Sequence, residues 1–233
     1  MLVTPELLSA FPSLKLLPEA TLSQLAQQSS LLKFARRGII LRAQEREENV
    51  CFLFEGRLQG VDFTIDGREV GLYFVEPGDF CGELGMFDRG PQPEHVIALT
   101  SAMVVMVPME ALRAVMLDNP SILQVLGERL AKRVRQMTQQ RSLLALPGVG
   151  HRVCCQLWML VPTTARENLQ VTAIMNPPTH MEIAIMLNLS RESVSRVFQI
   201  LQLRQIVKRD GPGKLHISDV PALKRLAEGS EEL

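Results

Sequence analysis

The sequence predicts an α+β fold in which an antiparallel β-barrel or sandwich precedes a long helix and a small helical domain. Short β-prone runs recur at intervals of about 8–12 residues from 38 to 107, between turn signals such as Asp66-Gly67. Apolar residues at helical spacing follow from 109 to 146. Two short capped helices and a hairpin complete the pattern. The segment before the strands, residues 4–34, predicts short helices only.

The composition is that of a globular domain: of 233 residues, 46% are hydrophobic and 21% are charged. This excludes a wholly disordered, collagen-like or disulfide-scaffold protein. Net charge is zero, but residues 190–214 carry six basic and two acidic side chains. The first residues lack the positive region of a signal peptide, and no apolar run approaches the ~18 residues of a membrane span. We therefore expect a cytoplasmic protein that does not enter a membrane.

The region from 109 to 146 predicts a long helix that pairs with its twin in a homodimer through residues 123–144. Pro120 suits the first turn of a helix, and Pro147-Gly148 end the pattern. The alternative is that the apolar side of this helix is buried against its own domain and not against a second copy. These signals divide the chain into 1–108, 109–146 and 147–233. The heptad-like seam consists of Leu123, Leu126, Leu130, Val134, Met137, Arg141 and Leu144.

Residues 179–203 predict a helix-turn-helix. Thr179 and Glu182 have the spacing of a capping box, Asn188 can adopt the left-handed conformation that ends a helix, and Ser190 can cap the next helix. The segment before this unit, 161–178, predicts a loop or a short strand. A basic hairpin around the turn 210–213 follows the second helix, so the motif looks winged.

The start of the second helix carries the side chains that would read bases. Its apolar residues share one face, and Arg191, Glu192, Ser195 and Arg196 lie largely on the other. An arginine fork matches O6 and N7 of guanine, and a glutamate can accept from N4 of cytosine. A helix that presents such residues enters the major groove, so the predicted partner is double-stranded DNA.

With these motifs, the chain resembles the cyclic-AMP receptor protein and fumarate-nitrate regulator (CRP/FNR) family of bacterial transcription regulators over nearly its whole length. Residues 189–197, Leu-Ser-Arg-Glu-Ser-Val-Ser-Arg-Val, resemble the family's recognition helix. Gly82-Glu83-Leu84 resembles its effector-pocket motif, and residues 119–123 resemble the entry to its dimerisation helix.

The resemblance implies a cyclic-nucleotide-binding jelly roll in 1–108, a dimerisation helix in 109–146 and a winged helix-turn-helix in 147–233. It also implies a palindromic TGTGA-like site and RNA polymerase as a further partner. His180 stands where similar members carry arginine. Base readout falls to Arg191, Glu192 and Arg196, and the wider set of DNA-binding candidates adds Thr179, His180, Ser190, Ser193, Ser195 and Lys214.

The effector pocket departs from the family pattern. Members that bind cyclic AMP carry an arginine for its phosphate downstream of the glutamate, whereas residues 90–95 contain no arginine and Glu94 would repel a phosphate. In those members a threonine–serine pair on the dimerisation helix contacts the adenine. The matching residues here are Met137 and Thr138, so only the second hydroxyl group is kept. We therefore expect no cyclic-AMP binding of the usual kind. The pocket candidates are Gly82, Glu83, Leu84, Glu94, His95, Met137 and Thr138.

Three interpretations of the pocket remain open, and no cofactor is assigned. The pocket can be vestigial. It can hold a cyclic dinucleotide, with Arg89, Arg133 or Arg135 facing the phosphates. It can hold haem with His95 as axial ligand, whereas the simpler interpretation of His95 is an exposed loop histidine. The N-terminal cysteine cluster of iron–sulfur members is absent, since no cysteine precedes Cys51.

Two rival function classes can be weighed from the residues. An enzyme would need Cys154 or Cys155 as nucleophile, but neither lies in a catalytic motif, and all four cysteines are expected to be core residues. A nucleotide-binding regulatory subunit that acts on a partner protein would not need the basic segment 190–214. No metal site is expected, because the cysteine spacing does not suit one.

Overall fold

The computed structural model describes residues 2–233, which form two compact units. One unit extends to Met137, and the other runs from Thr138 to Leu233. The predicted boundaries at 108 and 146 stay predictions. Within the described residues, no helix is both long and apolar enough to cross a bilayer.

In the described part of the first unit, the β unit, eight strands form two antiparallel four-stranded sheets. The strand order is β1-β8-β3-β6 in one sheet and β2-β7-β4-β5 in the other. The predicted combination of helices with antiparallel sheet is thereby confirmed. The strands are β1 (Ser30–Phe34), β2 (Ile39–Leu41), β3 (Asn49–Glu55), β4 (Leu58–Phe63), β5 (Glu69–Val75), β6 (Phe80–Cys81), β7 (His95–Ala98) and β8 (Ala102–Pro108).

The core lies between the two sheets and on the outer face of the first. Along β3, Cys51 and Leu53 pack between the sheets, whereas Val50 and Phe52 belong to the cluster shared with the helices. This alternation follows from the two-residue period of a strand. The helices that begin in this unit are α1 (Pro5–Ser9), α2 (Glu19–Gln28), α3 (Leu84–Asp88), α4 (Met109–Asp118) and α5 (Pro120–Leu144).

The expectation of helices throughout residues 4–34 is wrong for its last part. Ser30–Phe34 is strand β1 and pairs antiparallel with β8, with Ser30 opposite Met106. The backbone N–H and C=O groups on the edge of β8 away from β3 need hydrogen-bond partners. Pairing with β8 therefore overrides the weak helical preference of residues 30–34.

The predicted long helical region consists of two helices, α4 and α5, which are separated at Asn119. On α5, the seam residues Leu123, Val134 and Met137 are exposed, in keeping with an apolar stripe. The placement of Leu126 on that stripe is wrong, because Leu126 is buried in the core of the β unit. Leu126 lies four residues after Ile122, which is buried in the same cluster, so the two aliphatic side chains share the face of α5 that packs against the first unit.

Among the described residues, five helices begin in the second unit, which also contains a three-stranded sheet of order β10-β11-β9. The predicted hairpin is present, but β9 joins it as a third strand, and residues 163–168, expected to be loop, are helical. The elements are α6 (Val149–Leu160), α7 (Thr163–Asn168), β9 (Thr172–Met175), α8 (His180–Leu187), α9 (Arg191–Leu203), β10 (Val207–Asp210), β11 (Lys214–Ile217) and α10 (Val220–Glu228).

Candidate nucleic-acid interface and effector pocket

The start of α8 is fixed by the predicted capping box. Oγ1 of Thr179 accepts from the backbone N–H of Glu182 at 3.2 Å, and the Glu182 carboxylate accepts from the Thr179 N–H at 2.8 Å. At the other end, Asn188 adopts the left-handed conformation, with φ of 51°. These local interactions set where α8 begins and where the turn to α9 lies.

Helix α9 begins at a second cap. Oγ of Ser190 accepts from the N–H of Ser193 at 3.1 Å, and the two hydroxyl groups lie 3.0 Å apart. The structure therefore uses Ser190 and Thr179 as helix caps. A capping hydroxyl still carries a proton, so a contact to a DNA phosphate stays a prediction for these residues.

The exposed side of α9 carries the three predicted base-reading residues. Arg191, Glu192 and Arg196 are all exposed, and none makes a hydrogen bond or ion pair to another side chain within residues 2–233. The opposite face is buried and anchors the helix to the core of the second unit through Val194, Val197, Phe198 and Leu201. The charged groups are therefore available to a partner.

His180 and Ser195, both DNA-binding candidates, contact each other. Nδ1 of His180 lies 2.9 Å from Oγ of Ser195, and the imidazole ring lies 4.3 Å from the ring of Phe198, measured between centroids. Burial lowers the pKa of His180, and the positive charges of Arg209 and Arg191 lower it further. Sequence reasoning placed both residues at the interface but did not find this contact, which joins α8 to α9.

The sheet after α9 presents basic side chains. Lys214, at the start of β11, is half-buried and pairs in register with Asp210 of β10. Arg209 donates from Nε to the carbonyl oxygen of Gly211 at 3.3 Å. Lys208 is exposed. This hairpin thus places positive charge beside the helix-turn-helix, as the sequence predicted for a wing.

Gly82-Glu83-Leu84, the predicted effector-pocket motif, follows strand β6. Gly82 has φ of +81°, and a Cβ there would lie 3.0 Å from a methyl group of Leu41, so the position favours glycine. Glu83 is completely buried, and its Oε1 accepts from Nη1 of Arg133 at 3.0 Å. Arg133 also donates to the Phe80 carbonyl oxygen at 3.1 Å.

A second buried carboxylate lies in the same network. Tyr73 donates from its hydroxyl to Oε1 of Glu94, and Nε2 of Gln92 donates to the same oxygen at 3.0 Å. The guanidinium of Arg133 lies 4.1 Å from the centre of the Tyr73 ring. Arg133 was identified in the sequence only as one possible phosphate ligand. Tyr73 and Gln92 were missed; the available signal was that Tyr73 is the only tyrosine of the chain.

The pKa shifts follow from this burial. Burial raises the pKa of Glu83, and the nearby Arg133 charge offsets only part of that effect. Burial also raises the pKa of Tyr73 well above its usual value, so the phenol keeps the proton that it donates to Glu94. Two carboxyl groups and one guanidinium therefore share the interior of the β unit.

The remaining pocket candidates are more exposed. Leu84 begins α3 and is half-buried, whereas Met137 and Thr138 lie on α5, one turn beyond Arg133, with exposed side chains. The expectation that His95 is an exposed loop residue is wrong. His95 begins strand β7, is half-buried, and accepts at Nδ1 from the N–H of Ala43 at 3.2 Å.

The cysteines have the surroundings of core residues. Cys51, Cys81 and Cys154 are buried, and Cys155 is half-buried; all four are free thiols. Burial raises the pKa of Cys154 to about 12 and also raises that of Cys155, whose thiol donates to the Ala227 carbonyl oxygen at 3.0 Å. Because the thiolate is the nucleophilic form, neither residue is suited to nucleophilic catalysis.

Comparison with known families decides the identity. Residues 31–119 match the cyclic nucleotide-binding domain, and residues 151–226 match the Crp-like helix-turn-helix domain. The chain belongs to the CRP/FNR family. It is a DNA-binding transcription regulator with a sensory domain of the cyclic-nucleotide-binding type, and its relatives are transcription regulators rather than enzymes.

Relatives within the CRP/FNR family align along most of the chain. The CRP-like cAMP-activated global transcriptional regulator of Mycobacterium tuberculosis is 27% identical over 208 residues, which are 89% of this chain and 92% of the relative. The cAMP-activated global transcriptional regulator CRP of Pasteurella multocida is 26% identical over 83% of this chain and 92% of the relative.

Solved CRP/FNR structures share the fold at low identity. FixK2 of Bradyrhizobium japonicum has a TM-score of 0.72 at 21% identity, with 85% of this chain and 96% of FixK2 covered. CLP of Xanthomonas campestris has a TM-score of 0.65 at 23% identity, with 85% of this chain and 98% of CLP covered. The Crp-like helix-turn-helix match favours DNA binding over the alternative of a regulatory subunit that acts only on a partner protein.

Proposed function

We propose that the chain acts as a homodimer that reads a palindromic TGTGA-like DNA site and that its sensory pocket does not bind cyclic AMP in the usual way. The observation that carries the first part is the exposed set Arg191, Glu192 and Arg196 on the first two turns of a helix whose other face is buried. The second part depends on the buried carboxylates Glu83 and Glu94.

The recognition helix supports base readout because its charged residues are both exposed and fixed in direction. Arg191 and Glu192 occupy the first helical turn, immediately after the Ser190 cap. Arg196 lies on the next turn. In a helix-turn-helix, the residues near the start of the second helix contact base edges in the major groove. Lys214 and the hydroxyl groups of Thr179, Ser190 and Ser193 are assigned to the phosphate backbone, which positions the helix without reading sequence.

The exposed stripe of α5 supports a dimer. Leu123, Val134 and Met137 are each about half exposed or more in the single chain. An apolar stripe of this length is unfavourable in water and is typical of a helix that packs against a second copy. A two-fold dimer presents two recognition helices, which matches a palindromic site. RNA polymerase is assigned as the further partner from family membership alone.

The buried network supports the loss of ordinary cyclic-AMP binding. Glu94 occupies the region in which cyclic-AMP binders carry a phosphate-binding arginine, and Tyr73 and Gln92 hold its carboxylate in place. Arg133, the nearby cation, is already paired with Glu83. A cyclic phosphate would enter a buried site with two carboxyl groups and no uncommitted guanidinium, which is electrostatically unfavourable.

A cyclic dinucleotide is the alternative effector. Arg89, at the end of α3, and Arg135, on α5, are exposed and could approach phosphates outside the buried network. CLP of Xanthomonas campestris is described as a c-di-GMP-responsive global regulator. Haem is less suitable, because His95 accepts a hydrogen bond at Nδ1 and therefore carries its proton on Nε2. Ligation through Nε2 would require that proton to move and the Ala43 bond to break.

A gel-shift assay tests the proposal. A duplex with two TGTGA half-sites in palindromic arrangement is compared with a scrambled duplex of the same composition, without cyclic AMP. We expect the palindrome to bind at least about a thousandfold more tightly, the lower end of the range for specific over non-specific binding. Equal affinity for the two duplexes would contradict the proposed readout.

A further inference from the structure

His180 is held between the two helices of the helix-turn-helix. The Ser195 hydroxyl lies 2.9 Å from Nδ1, and the buried Phe198 ring lies 4.3 Å from the imidazole, with an angle of 35° between the planes. The capping box at Thr179 fixes the backbone immediately before His180. In the described part of the chain, Ser195 is the one hydrogen-bond partner of the ring.

The Ser195 contact can select the tautomer of His180. A neutral imidazole carries a single proton, on either Nδ1 or Nε2, and the hydrogen bond at one nitrogen decides the state of the other. If the Ser195 hydroxyl donates to Nδ1, the proton resides on Nε2. An Nε2–H group is a hydrogen-bond donor, and a DNA phosphate oxygen is a suitable acceptor.

Positive groups surround the ring on the neighbouring elements. Arg191 of α9 and Arg209 of β10 disfavour a second proton on His180, as does burial. On α8 itself, the Glu182 carboxylate is engaged by the capping box. On α6, Arg152 donates to the carbonyl oxygen of Leu187 at the far end of α8. The neutral ring is therefore favoured in the free protein, and an approaching phosphate would reverse this preference.

We propose that His180 is a positioning residue of the DNA interface: the Ser195 hydroxyl holds the ring so that Nε2 donates to a backbone phosphate, and proton uptake by the ring strengthens this contact. The inference rests on the proposed DNA-binding function and adds a pH dependence to it. Phosphate raises the pKa of the ring in the complex above its value in the free protein. DNA affinity then rises as pH falls between these two values, by up to about tenfold per subunit for each unit of separation.

The experiment measures affinity for the TGTGA palindrome by fluorescence anisotropy from pH 5.5 to pH 8 at fixed salt. The wild-type chain should bind more tightly as pH falls. His180→Gln should bind more weakly and lose this pH dependence. Ser195→Ala should bind the palindrome more weakly than wild type at pH 8, where the neutral ring has a single N–H whose position depends on Ser195. Its affinity should approach that of wild type at low pH, because both nitrogens of a protonated ring carry hydrogen. His216→Gln, which removes a half-buried histidine of β11, is the matched control and should keep the wild-type profile.

A pH profile that survives in His180→Gln, or a Ser195→Ala defect of equal size at all pH values, would overturn the inference while leaving the proposed function intact. Absence of palindrome preference in the wild-type chain at every pH would instead contradict the proposed function. Nitrogen NMR of the wild-type protein provides a measurement that does not depend on variants. It should show the Nε2–H tautomer for His180, and the Nδ1–H tautomer would overturn the inference.

Discussion

Nη1 of Arg133 lies 3.0 Å from Oε1 of Glu83, and both side chains are buried inside the β unit. Within residues 2–233, the second glutamate oxygen and Nε of Arg133 have no hydrogen-bond partner. The hydrogen-bonding capacity of the ion pair is therefore only partly used, and each buried charge is compensated by the other. Glu83, the glutamate of the predicted effector-pocket motif, therefore already has a cationic partner within the protein.

Replacement of Arg133 should be strongly destabilising. Arg133→Met leaves Glu83 as an unpaired buried carboxylate, so we expect the free energy of unfolding to fall by about 3–5 kcal/mol. Urea denaturation at pH 7 measures the change. Arg135→Met, an exposed position two residues away, is the control and should stay within about 0.5 kcal/mol of wild type. Equal stability of the two variants would show that the ion pair is dispensable.

Glu83 should also make stability depend on pH. Burial raises the pKa of Glu83 in the folded state. The contribution of Glu83 to the free energy of unfolding is therefore fully present below the pKa of the unfolded state, about 4.3, and is lost as pH rises through the higher pKa of the folded state. The unfolding free energy of wild type relative to Glu83→Gln should therefore decrease as pH rises above about 4.3. If the unfolding free energies of wild type and Glu83→Gln change in parallel from pH 4 to pH 8, Glu83 does not have a raised pKa in the folded state.

Cyclic AMP should neither bind nor activate. Titration calorimetry of the wild-type chain should give no binding heat at physiological nucleotide concentrations, and the affinity for the palindrome should be unchanged by the nucleotide. The reason is the buried Glu94, which Tyr73 and Gln92 hold in the region proposed for the phosphate, where a cation would be required. Micromolar binding that strengthens DNA affinity would mean that another cation, such as Arg89 or Arg135, serves the phosphate.

Charge in the α5 stripe should disrupt the dimer. Leu130→Glu places two carboxylates at the centre of the proposed interface, at a cost of about 3–5 kcal/mol, which raises the dissociation constant at least about a hundredfold. Leu117→Glu on α4, where the leucine is 80% exposed, is the control and should leave the dimer intact. Light scattering at micromolar concentration distinguishes the forms, and a monomeric wild-type chain would refute the assembly.

The helix-turn-helix could be predicted closely because its signals are local. The Thr179–Glu182 capping box, the left-handed Asn188 and the Ser190 cap each depend on residues within one turn, and all three are found in the structure. The exposure of the charged residues of α9 could be predicted in the same way, because they lie opposite the apolar face of the helix.

Contacts between distant residues could not be predicted from one sequence. Strand β1 is specified by its partner β8 rather than by its own composition, and β9 becomes a strand only when β11 lies beside it. The same holds for Tyr73 with Glu94 and for His180 with Ser195, which are 21 and 15 residues apart. The sequence identified Glu94 but not Tyr73 as a site residue, and it identified both His180 and Ser195, but it gave no signal that either pair is in contact.

Base discrimination by Arg191 is the most direct test of the central claim. Binding of wild type, Arg191→Ala and Lys214→Ala is measured on the palindrome and on duplexes altered at each half-site position. Arg191→Ala should lose about 1–3 kcal/mol on the palindrome and all preference at one base pair of each half-site. Lys214→Ala should weaken binding to every duplex similarly and reduce the salt dependence. If Arg191→Ala keeps wild-type affinity and wild-type preference at every position, α9 is not the element that reads the DNA.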